Sequence, residues 1–163
     1  MSNSFQHISK AAEFRLAVWF MEADWEVFLP AVQSRQTDFV VRVPGTEELL
    51  AIEVKSTQLE TLNAGQLANE WRDGVAPFDY LVFIEGKRER GVIMPKRFFR
   101  DRGKTIGFFQ KDGEEYSRGP IRPMYVPYSF NLLGMDDWKR AKMFCDRFLT
   151  IHQTPPSLPS IAA

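Results

Sequence analysis

Between Ser4 and Ala23 the apolar residues Ala12, Leu16, Trp19 and Phe20 recur at i, i+4, i+7 and i+8, the stripe of a helix with one buried face. Residues 25–30 then alternate, with Trp25, Val27 and Leu29 set against Glu26 and Phe28, which predicts a short strand with those three facing inward. Two further alternating runs, residues 37–43 and 49–55, flank Pro44-Gly45-Thr46-Glu47-Glu48, a stretch rich in turn formers. They predict an antiparallel hairpin. Asn63 opens a helical run to about Asp73, with Leu67 and Trp71 one turn apart on its inner face. Residues 79–85 (Asp-Tyr-Leu-Val-Phe-Ile-Glu) form a short apolar run, as in a strand covered on both faces, and residues 91–94 read as its neighbour. The order helix, three strands, helix, strand, strand predicts an α/β protein with a central mixed sheet flanked by helices.

Beyond Met94 the pattern is less regular. Residues 95–101 predict a short helix with Phe98 and Phe99 inward and the arginines exposed. A second hairpin is expected around Lys111-Asp112-Gly113, with arms at 105–110 and from Tyr116 onward. Pro120, Pro123 and Pro127 make residues 119–128 an ordered loop rather than a strand. Residues 136–150 predict a helix whose N-terminus is favoured by Asp136 and Asp137, with Trp138, Ala141, Cys145, Phe148 and Leu149 as its buried stripe. It either caps the sheet or makes a dimer contact. Residues 153–163, with Pro155, Pro156 and Pro159, read as a disordered tail. Residues 1–152 are then a single domain, long enough to bury a real core.

The hairpin carries the chemistry. With its midpoint between Gly45 and Thr46, position i pairs with position 91 − i, so Asp38 lies opposite Glu53 with Cβ atoms about 4.5–5.5 Å apart. Lys55, two residues on, shares the face of Glu53. On the other face Phe39, Val41 and Val43 oppose Leu50, Ile52 and Val54, an unbroken apolar layer, while Val40, Arg42 and Ala51 complete the charged one. A slip of one residue would send the carboxylates into the core, so the register is well specified. Two carboxylates this close repel unless a cation or proton lies between them, which is a metal-site geometry. The plainer reading is an exposed hairpin with one polar face.

These residues on these elements resemble the PD-(D/E)xK nuclease superfamily, most nearly its small resolvase-like and intron-endonuclease-like members, over roughly residues 9–94. That family has a glutamate on the first helix, an aspartate opening the second strand, Glu-x-Lys on the third, and often a polar residue such as glutamine on the next helix. Glu13, Asp38, Glu53-Val54-Lys55 and Gln66 fill those places. Thr37 replaces the proline of the family's name, and Ala12 stands where a glycine often precedes the helix glutamate. Neither departure removes a ligand. The resemblance implies a restriction-endonuclease-like αβββαβ core plus a C-terminal helix. It also implies a Mg²⁺ or Mn²⁺ ion held by Asp38, Glu53 and the Val54 carbonyl, with waters completing an octahedron. Lys55 would orient or deprotonate the attacking water, Glu13 would be an outer-shell or second-metal ligand, and Gln66 would orient Lys55 or meet a phosphate. Each has a plainer reading. Lys55 can be a strand-end lysine paired with Glu53 or Asp38, Glu13 a solvated helix residue paired with Lys10, and Gln66 the reciprocal member of an Asn63-Ala-Gly-Gln66 capping box. Arg42 reads as a counter-ion.

Net charge is zero, but its distribution is not even. Residues 1–85 hold 6 Lys/Arg against 13 Asp/Glu, and residues 86–163 hold 15 against 8. The positive excess gathers in Lys87, Arg88, Arg90, Lys96, Arg97, Arg100, Arg102 and Lys104, a density that suits a phosphate backbone or, more plainly, a solvated face. One cysteine, Cys145, rules out an internal disulfide and points to a reducing, cytoplasmic setting. Two histidines, His7 and His152, near opposite ends argue against a zinc site or a Ser-His-Asp triad. No run approaches the ~20 apolar residues of a membrane span, and the start lacks a basic-then-apolar signal. The expectation is a Mg²⁺-dependent endonuclease acting on DNA, branched or structured DNA included. Cutting two strands takes two sites, which implies a homodimer. The alternatives are an inactive nuclease fold used as a binding module, such as an immunity or accessory protein, and an RNA nuclease.

Overall fold

The computed structural model describes residues 3–31, 37–57, 77–85, 89–96, 110–111, 114–115 and 128–154. Helix α1 (Asn3–Glu22) is followed by strands β1 (Glu26–Phe28), β2 (Phe39–Arg42), β3 (Leu49–Thr57), β4 (Tyr80–Glu85) and β5 (Arg90–Pro95). A two-stranded ribbon, β6 (Gln110–Lys111) and β7 (Glu114–Glu115), precedes β8 (Ser129–Asn131) and helix α2 (Asp137–Gln153). Six strands form one mixed sheet in the order β1-β2-β3-β4-β5-β8. Only the β3–β4 pairing in it is parallel. The architecture is the expected α/β one. The expected helix at 63–73, residues 97–101 of the short helix expected at 95–101 and the loop at 119–127 lie outside the described residues, as does the tail beyond Thr154; Pro95, expected to open that short helix, closes β5 instead, paired with Tyr80.

Local chemistry fixes each connection. Helix α1 ends in a Schellman motif: Asp24 takes a left-handed φ of 63°, its N–H reaches the Met21 carbonyl, and the Trp25 N–H reaches the Phe20 carbonyl at 2.9 Å. The apolar contact that accompanies such a cap is the Phe20–Trp25 ring pair, 5.0 Å between centroids. This reversal sends β1 back along the sheet. In the β2–β3 hairpin, the Thr46 N–H bonds the Val43 carbonyl across Pro44 and Gly45 (φ 74°), the arrangement of a type II turn. The register pairs Phe39 with Ile52, Val40 with Ala51, Val41 with Leu50 and Arg42 with Leu49, so the 91 − i rule holds. The ribbon pairs Gln110 with Glu115 and Lys111 with Glu114, two residues to each arm, while the rest of the hairpin expected around Lys111-Asp112-Gly113 lies outside the described residues.

The core lies between the sheet and the two helices. Phe39, Val41, Leu50, Ile52, Val54, Tyr80 and Val82 face it, and all are buried. From α1 come Leu16, Ala17, Trp19 and Phe20, and from α2 come Ala141, Phe144, Cys145, Phe148 and Ile151. The Phe20 ring is the hub, with centroids 5.0–6.0 Å from those of Trp25, Phe39, Phe144 and Phe148. Leu81, Phe83, Val92 and Met94 on the opposite face are buried as well, so β4 is covered on both sides as its sequence predicts. Gly91 admits no side chain: a Cβ there would meet the Phe83 carbonyl oxygen at 1.8 Å and the Phe130 ring at 2.9 Å. Phe130, its cross-strand partner, covers the gap.

Two expectations are corrected, and one element was not foreseen. Leu29 was predicted inward but follows the end of β1 and is exposed. Trp138 is 65% exposed; the inward stripe of α2 runs through Ala141, Phe144, Cys145, Phe148 and Ile151, one phase away from Trp138. Strand β8 was not predicted, because Ser129-Phe130-Asn131 is too short to show a period. Helix α2 packs on both α1 and the sheet. No helix among the described residues is long and apolar enough to cross a membrane.

Candidate active site

Asp38 sits one residue before β2, its N–H bonded to the Ile52 carbonyl at 3.0 Å, so the strand pairing carries it into line with Glu53. Its Oδ2 accepts the Val54 N–H at 2.7 Å. Glu53 is 7% exposed, the one buried charged residue among the described residues. Lys55 Nζ donates to Glu53 Oε1 at 2.6 Å, which keeps that carboxylate from being buried alone. The strand alternation thus places Asp38, Glu53 and Lys55 on one face, as the hairpin's sequence predicts.

Glu13 arrives from α1. It pairs with Lys10 one turn earlier, and both line a cleft of about 150 Å³ with Phe14, Leu29, Pro30, Asp38 and Phe39. Glu53 and Lys55 do not line this cleft; they stand beside Asp38 on the sheet. Lys10 is the site residue that sequence reasoning used only as a counter-ion to Glu13. The i, i+3 spacing was the available signal, and the fold adds that its ammonium lies within reach of the Asp38 and Glu53 charges. Gln66 lies outside the described residues.

The electrostatics follow from this crowding. Burial, joined by the Glu53 and Glu13 carboxylates, pushes Asp38 up from its ordinary 3.8 to about 7, while the Val54 N–H and Lys55 pull the other way. The Lys10 ammonium is raised by its hydrogen bond to Glu13, despite desolvation. Among the described residues no group of three acid, His or Cys side chains is already arranged to hold a metal ion. The donor chemistry suits a hard cation all the same: Asp38, Glu53 and Glu13 are oxygen donors whose mutual repulsion a divalent ion would relieve.

A pH dependence follows. An acid whose folded pKa exceeds its unfolded one stabilises the fold fully below the unfolded value, and that contribution is lost as pH rises through the folded one. For Asp38 the window is 3.8 to about 7. Asp38→Asn keeps an oxygen for the Val54 N–H but removes the charge. Without divalent ions, its melting temperature relative to the native protein should therefore climb between about pH 4 and about pH 7 and level off above. Added Mg²⁺ or Mn²⁺ should stabilise the native protein and leave the Asn variant nearly unmoved. Parallel pH profiles for the two proteins, or equal ion-induced shifts, would contradict this assignment.

Other polar groups lie away from the cleft. Arg42 is the expected counter-ion: it pairs with Glu26 at 2.7 Å and with Glu47, and stacks over Phe28. Of the basic segment, Arg90 opens β5 half-buried and Lys96 is exposed, while Lys87, Arg88, Arg97, Arg100, Arg102 and Lys104 lie outside the described residues. Two links went unforeseen. Glu89, in a left-handed turn, pairs with Arg140 of α2 at 2.8 Å and with Arg15 of α1 at 3.3 Å. His152 bridges the Tyr80 hydroxyl at 2.7 Å and the Glu48 carboxylate at 3.1 Å, tying α2 to the hairpin turn. Both are structural ties.

No protein-family model matches the chain, and no curated protein sequence matches it. Among solved structures, a bacterial homing endonuclease, I-Ssp6803I, aligns over 91% of this chain and 95% of its own at 17% identity, with a TM-score of 0.46. That likeness is too loose to assign a role to any residue.

Proposed function

We propose that this chain is a metal-dependent endonuclease that hydrolyses phosphodiester bonds in DNA, branched or structured DNA included, and that it works as a homodimer. The observation that carries this reading is the gathering of Asp38, Glu53 and Lys55 on one face of the hairpin, with Glu13 brought to Asp38 from a separate helix. Surface ion pairs do not need a buried glutamate beside an aspartate whose charge the fold disfavours; a cation site does.

Asp38, Glu53 and the Val54 carbonyl would hold Mg²⁺ or Mn²⁺, with Glu13 as an outer or second-ion ligand. When bound, the ion supplies Lewis acidity toward the phosphate and the leaving oxygen. Lys55, steadied by Glu53, orients the attacking water in line with phosphorus, and its ammonium offsets charge gathering on the phosphate oxygens. Glu13 must leave Lys10 to serve as a ligand, and the freed ammonium then lies beside the phosphate path. Gln66 would orient Lys55 or meet a phosphate. Arg90 and Lys96, with Lys87, Arg88, Arg97, Arg100, Arg102 and Lys104 next to them in sequence, would grip the DNA backbone without reading its bases.

The test is direct. Supercoiled plasmid, a four-way junction and a structured RNA are incubated with the protein in Mg²⁺, Mn²⁺ or EDTA. Cutting of at least one DNA substrate is expected with either ion and none with EDTA. Cleavage confined to the RNA would reassign the substrate. No cleavage at all, together with no ion-induced stabilisation, would leave a nuclease-like fold used as a binding module.

A further inference from the structure

Helix α1 is apolar on two sides. Its inner stripe, Leu16, Ala17, Trp19 and Phe20, is spent on the core. Its outer side carries Ala11, Phe14, Val18 and Met21, all exposed, the last three at 53%, 43% and 46%. A surface helix ordinarily needs only one apolar stripe. The outer set is spaced by three, four and three residues, the seam of two helices packed along each other. Leu29, 52% exposed, extends the patch beside Phe14.

We infer that this outer face of α1 is the contact between two copies of the chain, packed antiparallel about a two-fold axis. The flanking charges select the occupant and the direction. Arg15 and Glu22 are both exposed and lie seven residues apart on the same side of the seam. In an antiparallel pair that sets Val18 against Met21 of the second copy, Arg15 falls beside Glu22 of that copy, and the two-fold repeats the pairing. Sliding the helices by seven residues would bring Arg15 beside its own copy. A parallel pair would set Lys10 against Arg15. Only the first arrangement is complementary to itself, which is what an isologous contact requires. The seam runs past Phe14, at the lip of the candidate cleft, so two clefts would flank one axis. The contact does not depend on the catalytic reading.

Sedimentation of the full chain tests it. The 18.9 kDa chain should sediment as a reversible dimer of twice that mass. Val18→Asp changes an exposed residue, so the monomer should keep its circular dichroism and melting temperature while the dimer dissociation constant rises about 30-fold or more. Glu22→Arg alone should weaken the dimer about tenfold, and adding Arg15→Glu should restore it, since each charge then meets its opposite again. Arg15 also touches Glu89 at 3.3 Å, so the melting temperature of the double variant is measured alongside. A native chain that stays monomeric throughout the concentration series would overturn the inference. So would a dimer indifferent to Val18→Asp, or a charge swap without rescue. A monomer in which Val18→Asp weakens DNA binding would hand the face to nucleic acid instead. Cleavage activity enters none of these outcomes, so a failed nuclease assay and a failed dimer remain distinguishable.

Discussion

Replacing Lys55 with alanine is expected to slow ion-dependent DNA cleavage by about 10³-fold, in the range for losing a positioned acid, base or charge-stabilising group. The side chain is held by Glu53 at 2.6 Å and is about one-third exposed, so its loss opens no cavity in the core. The second half of the expectation concerns what survives. Asp38, Glu53 and Glu13 remain, so the variant should still be stabilised by Mn²⁺. Removal of the Lys55 ammonium leaves the carboxylates of the site with less positive charge beside them, and the added ion should raise the melting temperature of the variant more than that of the native protein. Single-turnover cleavage with protein in excess, beside a melting curve with and without Mn²⁺, measures both. Undiminished cutting would place the chemistry elsewhere or in a contaminant. Lost cutting together with lost ion response would mean that Lys55 holds the site together rather than acting in it.

The largest effect on stability should come from Phe20→Ala, a loss of about 3–5 kcal/mol. Phe20 is fully buried and its ring lies 5.0–6.0 Å from those of Trp25, Phe39, Phe144 and Phe148. Three separated pieces of chain meet on it, and none can close the gap without moving a helix off the sheet. For a chain of this size the melting temperature should fall by about 10 °C. Phe20→Leu, which fills most of the volume, should lose less than about half as much. Urea denaturation with a shared slope decides the matter. A loss below about 1.5 kcal/mol would show that the aromatic cluster collapses freely and is not a fixed jigsaw.

The hairpin was readable because two independent patterns agreed on it. A turn of Pro44 and Gly45 set the midpoint, and the alternation of Phe39, Val41, Leu50 and Ile52 allowed one register only, which carried Asp38 to Glu53. Strand β4 was readable from its unbroken apolar run. What failed had a physical reason in each case. The inward stripe of α2 reads from its spacing as Trp138, Ala141, Cys145, Phe148 and Leu149, but Trp138 is exposed. Ala141, Phe144, Cys145, Phe148 and Ile151 carry the true period, and Trp138 instead lies beneath Lys139 in a cation–π contact at 5.2 Å. Strand β8 has three residues and owes its existence to Gly91, whose bare backbone lets Phe130 lie across it. No local pattern encodes such a pairing. Lys10 was visible as a neighbour of Glu13, but its position near Asp38 depends on how α1 lies against the sheet.

The two outermost strands of the sheet, β1 and β8, are each three residues long, while the four between them are longer and paired on both sides. So brief a margin offers a foreign strand too few main-chain donors and acceptors to nucleate on, and open margins are where β-proteins polymerise. This sheet is therefore a poor seed for fibrils, and copies of the chain that meet will do so through side chains.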